Sequence, residues 1–158
     1  MTIQQKTITP APVRKSLHVK ATPQRCFQVF AAMGSWWPKS HSIGASPLAE
    51  VIVEPRAGGR WAQRNEDGSE CDWGVVLAYE PPHRLLLGWQ LSAEWAHDPS
   101  VTTEVEVTFA PEADGTRVNF EHRNLERYGD KAEAVRAGID SENGWGGILE
   151  HFKAEAEA

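Results

Sequence analysis

The chain has 158 residues, with 16 basic and 22 acidic side chains for a formal net charge of −6, and 41% of it is hydrophobic. That length suits one domain able to bury about two-thirds of the surface its unfolded form exposes, so a core is expected without metal or disulfide staples. The acidic balance excludes the basic face that nucleic-acid binding by counterion release requires, and it disfavours anionic membrane surfaces.

Residues 1–12 read as a flexible polar leader, 13–153 as a single domain and 154–158 as a frayed Ala/Glu tail. The leader has no signal-peptide pattern, and no window approaches the roughly 18 apolar residues of a membrane span, so a cytoplasmic protein is expected. Cys26 and Cys71 form neither a CxxC pair nor a zinc-spaced set with histidine; two ordinary thiols, no metal and no cofactor are expected.

Val13 to Ala21 alternates as a first strand, with Leu17 and Val19 on one face. Thr22-Pro23 then opens a helix, the hydroxyl capping free amides and the proline occupying the first helical position. Cys26, Phe27, Val29, Phe30 and Met33 recur at helical spacing up to Gly34. Trp36 to Pro47 reads as a loop or a second short helix.

Six strands follow, at Leu48 to Glu54, Arg60 to Asn65, Glu70 to Glu80, Arg84 to Leu91, Val101 to Ala110 and Thr116 to Arg123, separated by turn residues such as Asp67-Gly68 and Asp114-Gly115. In the last pair Thr103, Val105, Val107 and Phe109 face Val118, Phe120 and His122 on an apolar side. Glu104 and Glu106 sit with Arg117 and Arg123 on the wet side. A short helix from Asp130 to Ala137 precedes a long one, capped by Ser141, that carries Trp145, Ile148, Leu149 and Phe152 on one side. The order predicts an α+β fold with helices on one face of an antiparallel sheet.

Several segments resemble a known family, the START-like helix-grip (SRPBCC) superfamily, in the branch similar to the C-terminal domain of the heat-shock-protein-90 ATPase activator. They are Pro23 to Phe30, Glu54 to Trp61, Trp73 to Leu77, Pro81 to Leu85 leading to Trp89, Gly115 to Val118 leading to His122, and Gly144-Trp145 to Leu149. The resemblance implies a curved antiparallel sheet wrapped around the long C-terminal helix, with an apolar cavity between them. It also implies members that bind lipids, hormones or polyketide-like molecules and some that catalyse cyclisation or dehydration.

Alternation places Trp61 with Gln63, Trp73 with Val75 and Leu77, and Trp89 with Leu85, Leu87 and Leu91 on the helix-covered face, where Trp145 and Leu149 meet them. These rings are either core or the wall of a cavity for a small apolar or aromatic ligand. Trp36 and Trp37 mark its mouth, His41 in the loop after them is either a surface histidine or a ligand-contacting one, and Gln63 could add a polar contact. His122 is either a hydrogen-bonded core residue or the acid-base group of a cyclase, dehydratase or hydrolase. Gly144, Gly146 and Gly147 in the helix pattern suggest close packing on the sheet or room for the cavity. An exposed Trp36, Trp37 or Trp95 would mark a homodimer patch, and the branch resemblance leaves open a chaperone-associated interaction role.

Overall fold

A computed structural model describes residues 10–158. The leader therefore lies outside the described residues except for its last three. Among the described residues seven strands run in chain order, β1 (Val13–Val19), β2 (Leu48–Val53), β3 (Arg60–Asn65), β4 (Glu70–Glu80), β5 (Arg84–Trp89), β6 (Thr103–Glu112) and β7 (Gly115–Arg123). They form one antiparallel sheet in the order β1-β7-β6-β5-β4-β3-β2. The α-helices α1 (Pro23–Ala31), α2 (Ala132–Ile139) and α3 (Gly147–Glu157) complete the α+β helix-grip architecture of the described residues. No helix among the described residues is long and apolar enough to cross a membrane.

The start of α1 follows the sequence expectation, with Thr22 Oγ1 accepting from the Arg25 amide at 3.2 Å. Its buried face, Cys26, Phe27 and Phe30, packs on β6 and on α3, where Phe30 meets Phe109 and Phe152 at 6.0 and 5.1 Å between ring centroids. After a 3₁₀ turn at Met33–Ser35 the chain runs as a loop to β2.

β4 departs from simple alternation. Ala62 pairs with Asp72 but Trp61 pairs with Gly74, so Trp73 is an extra residue on β4. One inserted residue exchanges the two faces of a strand. Val76 is therefore fully buried, while Val75 is only partly buried and Leu77 is 39% exposed, instead of both pointing inward. A second shift, Val76 pairing with Leu87 but Ala78 with Leu86, restores the phase, and Tyr79 packs on Phe27 at 5.1 Å. The strands cross so closely here that a Cβ on Gly74 would lie 1.7 Å from the Gly88 carbonyl oxygen.

The outer face carries ion pairs in a different arrangement from the one expected. Arg123 binds Glu104, Glu106 and Glu121 together, whereas Arg117 pairs with Glu112 at the hairpin end.

The C-terminal helix is shorter and starts differently than predicted. Ser141 makes no cap; its hydroxyl donates back to the Gly138 carbonyl, and Glu142–Gly146 forms a π turn kinked at Gly144. A Cβ on Gly144 would come within 2.2 Å of the Ile139 carbonyl oxygen, so the small residue serves the junction of α2 with α3 rather than packing on the sheet. The tail expected to fray from Ala154 instead stays helical to Glu157. Ala156 is buried, and Arg25 donates to the carbonyls of Glu155, Ala156 and Ala158.

Candidate functional site

Phenyl rings fill the end of the sheet under α1, and indoles crowd the other. There, four tryptophans converge on a cavity of about 270 Å³: Trp37 from the loop after α1, Trp73 from the β4 bulge, Trp89 from the end of β5 and Trp145 from the π turn. Trp37 lies 5.0 Å from Trp73 and 5.9 Å from Trp145, and Trp89 lies 5.5 Å from Trp145, ring to ring. Leu91, Ile43, Ile139, Ile148 and Trp95 extend the apolar wall, while Ser40, His41, Ser42 and Asn143 supply its polar part. Among the described residues no Asp, Glu, Lys or Arg lines this cavity. Such a site favours an uncharged ligand, because an ion brought here would lose its hydration without gaining a counter-charge.

The loop carrying Trp37 is fixed from three sides. Trp37 Nε1 donates to the His41 carbonyl oxygen at 2.8 Å. His41 Nε2 donates to the Asn143 carbonyl oxygen, leaving Nδ1 to accept from Ser40 Oγ at 3.0 Å. The Ile43 amide donates to Gln63 Oε1 at 3.0 Å. Gln63 is completely buried and does not line the cavity; the same oxygen accepts from Trp73 Nε1 at 2.9 Å and its amide donates to Asn65 Oδ1. It works as a support, joining the loop to the β4 indole.

His122 is likewise behind the wall. It is completely buried, accepts at Nδ1 from Trp145 Nε1 at 3.0 Å and donates from Nε2 to Thr103 Oγ1 at 2.8 Å. Thr103 Oγ1 in turn donates a hydrogen bond to the Trp89 carbonyl oxygen at 3.5 Å. These partners define the neutral imidazole protonated at Nε2. Burial pushes its pKa down to about 3. Both nitrogens are committed and His122 does not line the cavity, so of its two readings it takes that of the hydrogen-bonded core residue, with no free lone pair or proton facing a ligand.

The structure thus brings Trp37, His41, Trp73, Trp89 and Trp145 together and separates the other candidates. Trp36 turns into the phenyl cluster, donating to the Val29 carbonyl oxygen at 2.6 Å and packing on Phe30 and Phe152. Trp61 is buried behind Trp73 and Trp89, T-shaped to both, and its N–H has no hydrogen-bond partner among the described residues. Leu149 is buried off the cavity, whereas its neighbour Ile148 lines it. The sequence reading missed Ile43, Ile139 and Asn143. Their signal lay in the loop and the α2–α3 junction, whose paths depend on contacts far away in the chain.

The chain matches the family described as activator of Hsp90 ATPase homolog 1-like protein over residues 20–157. Among solved structures it is similar to an anthrahydroquino-γ-pyrone synthase complexed with SUM, at 36% identity and a TM-score of 0.64 over 92% of this chain and 97% of that one. It is also similar to CalC, a self-sacrificing resistance protein from Micromonospora echinospora, at 31% identity and a TM-score of 0.68 over 92% and 93%. The Aha1 dimer from Colwellia psychrerythraea, at 16% identity and a TM-score of 0.62 over 94% and 97%, shares the fold. No curated protein matches the chain. With the strand order, the gripped C-terminal helix and a match spanning nearly every described element, the chain belongs to the activator of Hsp90 ATPase homolog 1-like family, within the START-like SRPBCC superfamily.

Proposed function

We propose that the chain binds a flat, uncharged, mainly apolar molecule in the cavity walled by Trp37, Trp73, Trp89 and Trp145. The observation that carries this reading is the convergence of four indoles on a space lined by no Asp, Glu, Lys or Arg among the described residues. A tricyclic aromatic burying about 250 Å² of apolar surface would gain on the order of 6 kcal/mol from desolvation. Ring contacts add to that, and immobilisation subtracts from it, which leaves a dissociation constant in the micromolar range. Titration with the neutral anthraquinone chrysophanol should quench tryptophan fluorescence and raise Tm, and Ile43→Trp, which fills the cavity, should abolish both effects. Failure of chrysophanol to bind the wild-type chain, or quenching that survives Ile43→Trp, would sink the proposal.

A second reading, catalysis on a ligand held in this cavity, is favoured by the 36% identity to a protein named as a synthase. The imidazole on the wall is that of His41, which would have to exchange its bond to Ser40 or to the Asn143 carbonyl for one to the ligand, rather than that of His122. Self-association rests on Trp95 alone, since Trp36 and Trp37 are buried, and sedimentation of wild type against Trp95→Gly tests it. A chaperone-associated role rests on the family description only.

A further inference from the structure

Beside the indole-walled cavity lies a second chamber of about 300 Å³, bounded by Tyr128, Lys131, Ala134 and Val135 on one side and by the loop from Ser92 to Trp95 on the other. Trp89, Trp95, Gly138 and Ile139 belong to both walls. Trp95 is the one tryptophan of seven left exposed, at 52%, and its backbone sits at φ +64, in the left-handed region that large side chains rarely adopt. Its turn is nonetheless firmly built. Ser92 Oγ accepts from the amides of Glu94 and Ala96, the Ser92 amide donates to the Ala96 carbonyl, and the Trp95 amide donates to the Ser92 carbonyl. Leu91 and His97 bridge the base of the loop. A strained residue persists only where its surroundings over-determine it, and what this turn holds in place is an indole common to two cavities.

We propose that the two chambers are one two-lobed ligand site with Trp95 as its partition. A flat apolar nucleus occupies the indole-walled lobe, and a hydroxyl-bearing appendage of the same molecule occupies the lobe beside α2. The assignment rests on the aromatic-ligand reading of the first cavity. Size supports it, since the first cavity alone falls just below the roughly 300–1,000 Å³ of small-molecule sites and the second chamber brings the site within that span.

Chemistry supports it as well. The second lobe carries Lys131 and Glu94, ion-paired to each other with side chains 56% and 61% exposed, together with the Ser92 hydroxyl. Lys131 is already neutralised by Glu94, so the lobe offers hydrogen-bond donors and acceptors rather than a counter-charge. That suits alcohol groups better than an ionic group.

Isothermal titration with chrysophanol and with its 8-O-glucoside at pH 7 tests the assignment. The glucoside should bind wild type at least tenfold more tightly than chrysophanol. Ala134→Trp places a large ring in the second lobe from an exposed position on α2. It should remove that gain while leaving chrysophanol affinity unchanged, which also shows that the variant is folded. Trp95→Gly, relaxed at φ +64, should weaken both probes at an unchanged Tm. Equal affinities of the two probes for wild type, a gain that survives Ala134→Trp, or indifference of both probes to Trp95→Gly would overturn the two-lobed site alone. Absence of chrysophanol binding would overturn the aromatic cavity and this site with it.

Discussion

Lowering the pH should weaken the fold through His122 by an amount that the structure defines. Protonation would turn Nδ1 from an acceptor into a donor facing the Trp145 N–H, and would place a charge among indole rings. Burial accordingly holds the folded pKa at about 3, against 6.5 for the free side chain. The folded value lies below the unfolded one, so the unfolded chain takes up more protons as the pH falls. The contribution of this group is complete above about pH 6.5 and declines from there toward pH 3. At pH 5 the unfolded imidazole is about 1.5 units below its pKa, and at ~1.36 kcal/mol per unit the loss relative to pH 8 is about 2 kcal/mol. In a domain of this size that is roughly 4–8 °C in Tm.

Urea unfolding of wild type and His122→Gln at pH 8, 6.5 and 5 measures it. Gln can accept from Trp145 and donate to Thr103 without titrating, so every other ionisable group contributes to both proteins and cancels in the difference. The stability advantage of wild type should shrink by about 2 kcal/mol from pH 8 to pH 5. An advantage constant to within about 0.5 kcal/mol would refute the buried neutral imidazole.

Gly144→Ala should destabilise by about 2–3 kcal/mol in chemical denaturation, because its Cβ would meet the Ile139 and Gly138 carbonyl oxygens at 2.2 and 2.8 Å. Gly138→Ala in α2 meets nothing within 4 Å and should be neutral or stabilising by up to ~1 kcal/mol; equal effects at the two positions would contradict the tight junction. Gln63→Leu leaves the Ile43 and Trp73 N–H groups without their acceptor and should cost about 2–4 kcal/mol. It should also speed hydrogen exchange at the Ile43 amide, and unchanged protection there would show that another group holds the loop.

Elements whose identity depends on local pattern were legible in the sequence. Thr22-Pro23 announces α1, and the strict alternation of β6 and β7 announces their apolar face, because both signals are complete within a few neighbouring residues. The inversion of Val75 and Val76 was not legible, since the extra residue in β4 exists only in its pairing with β3. Ser141 has the chemistry of a cap but is not one, because the chain enters α3 through a wide turn that Gly144 makes possible. For the site, periodicity correctly turned His122 and Gln63 inward. Whether an inward residue touches a cavity or supports its wall depends on partners such as Trp145 and Ile43, which lie 23 and 20 residues away in the chain.

Those partners also explain why crowded rings leave a space at all. An indole is free to rotate into a void unless its N–H is committed, and here three of the four converging rings are committed in different directions. Trp37 points its N–H at the His41 carbonyl, Trp73 at Gln63 and Trp145 at His122. Rotating any of them to fill the cavity would break a hydrogen bond and strand a buried donor, at a cost of about 1–3 kcal/mol each. The void is therefore held open by polar bonds behind its wall, and the wall is organised before a ligand arrives, which lowers the ordering cost of binding. His122 on this account acts on a ligand through Trp145, as a positioning residue whose neutrality preserves an acceptor. Acidification toward pH 5 should then impair chrysophanol binding no more than the fall in folded population accounts for. A steeper loss in wild type that is absent from His122→Gln would show instead that the imidazole meets the ligand directly.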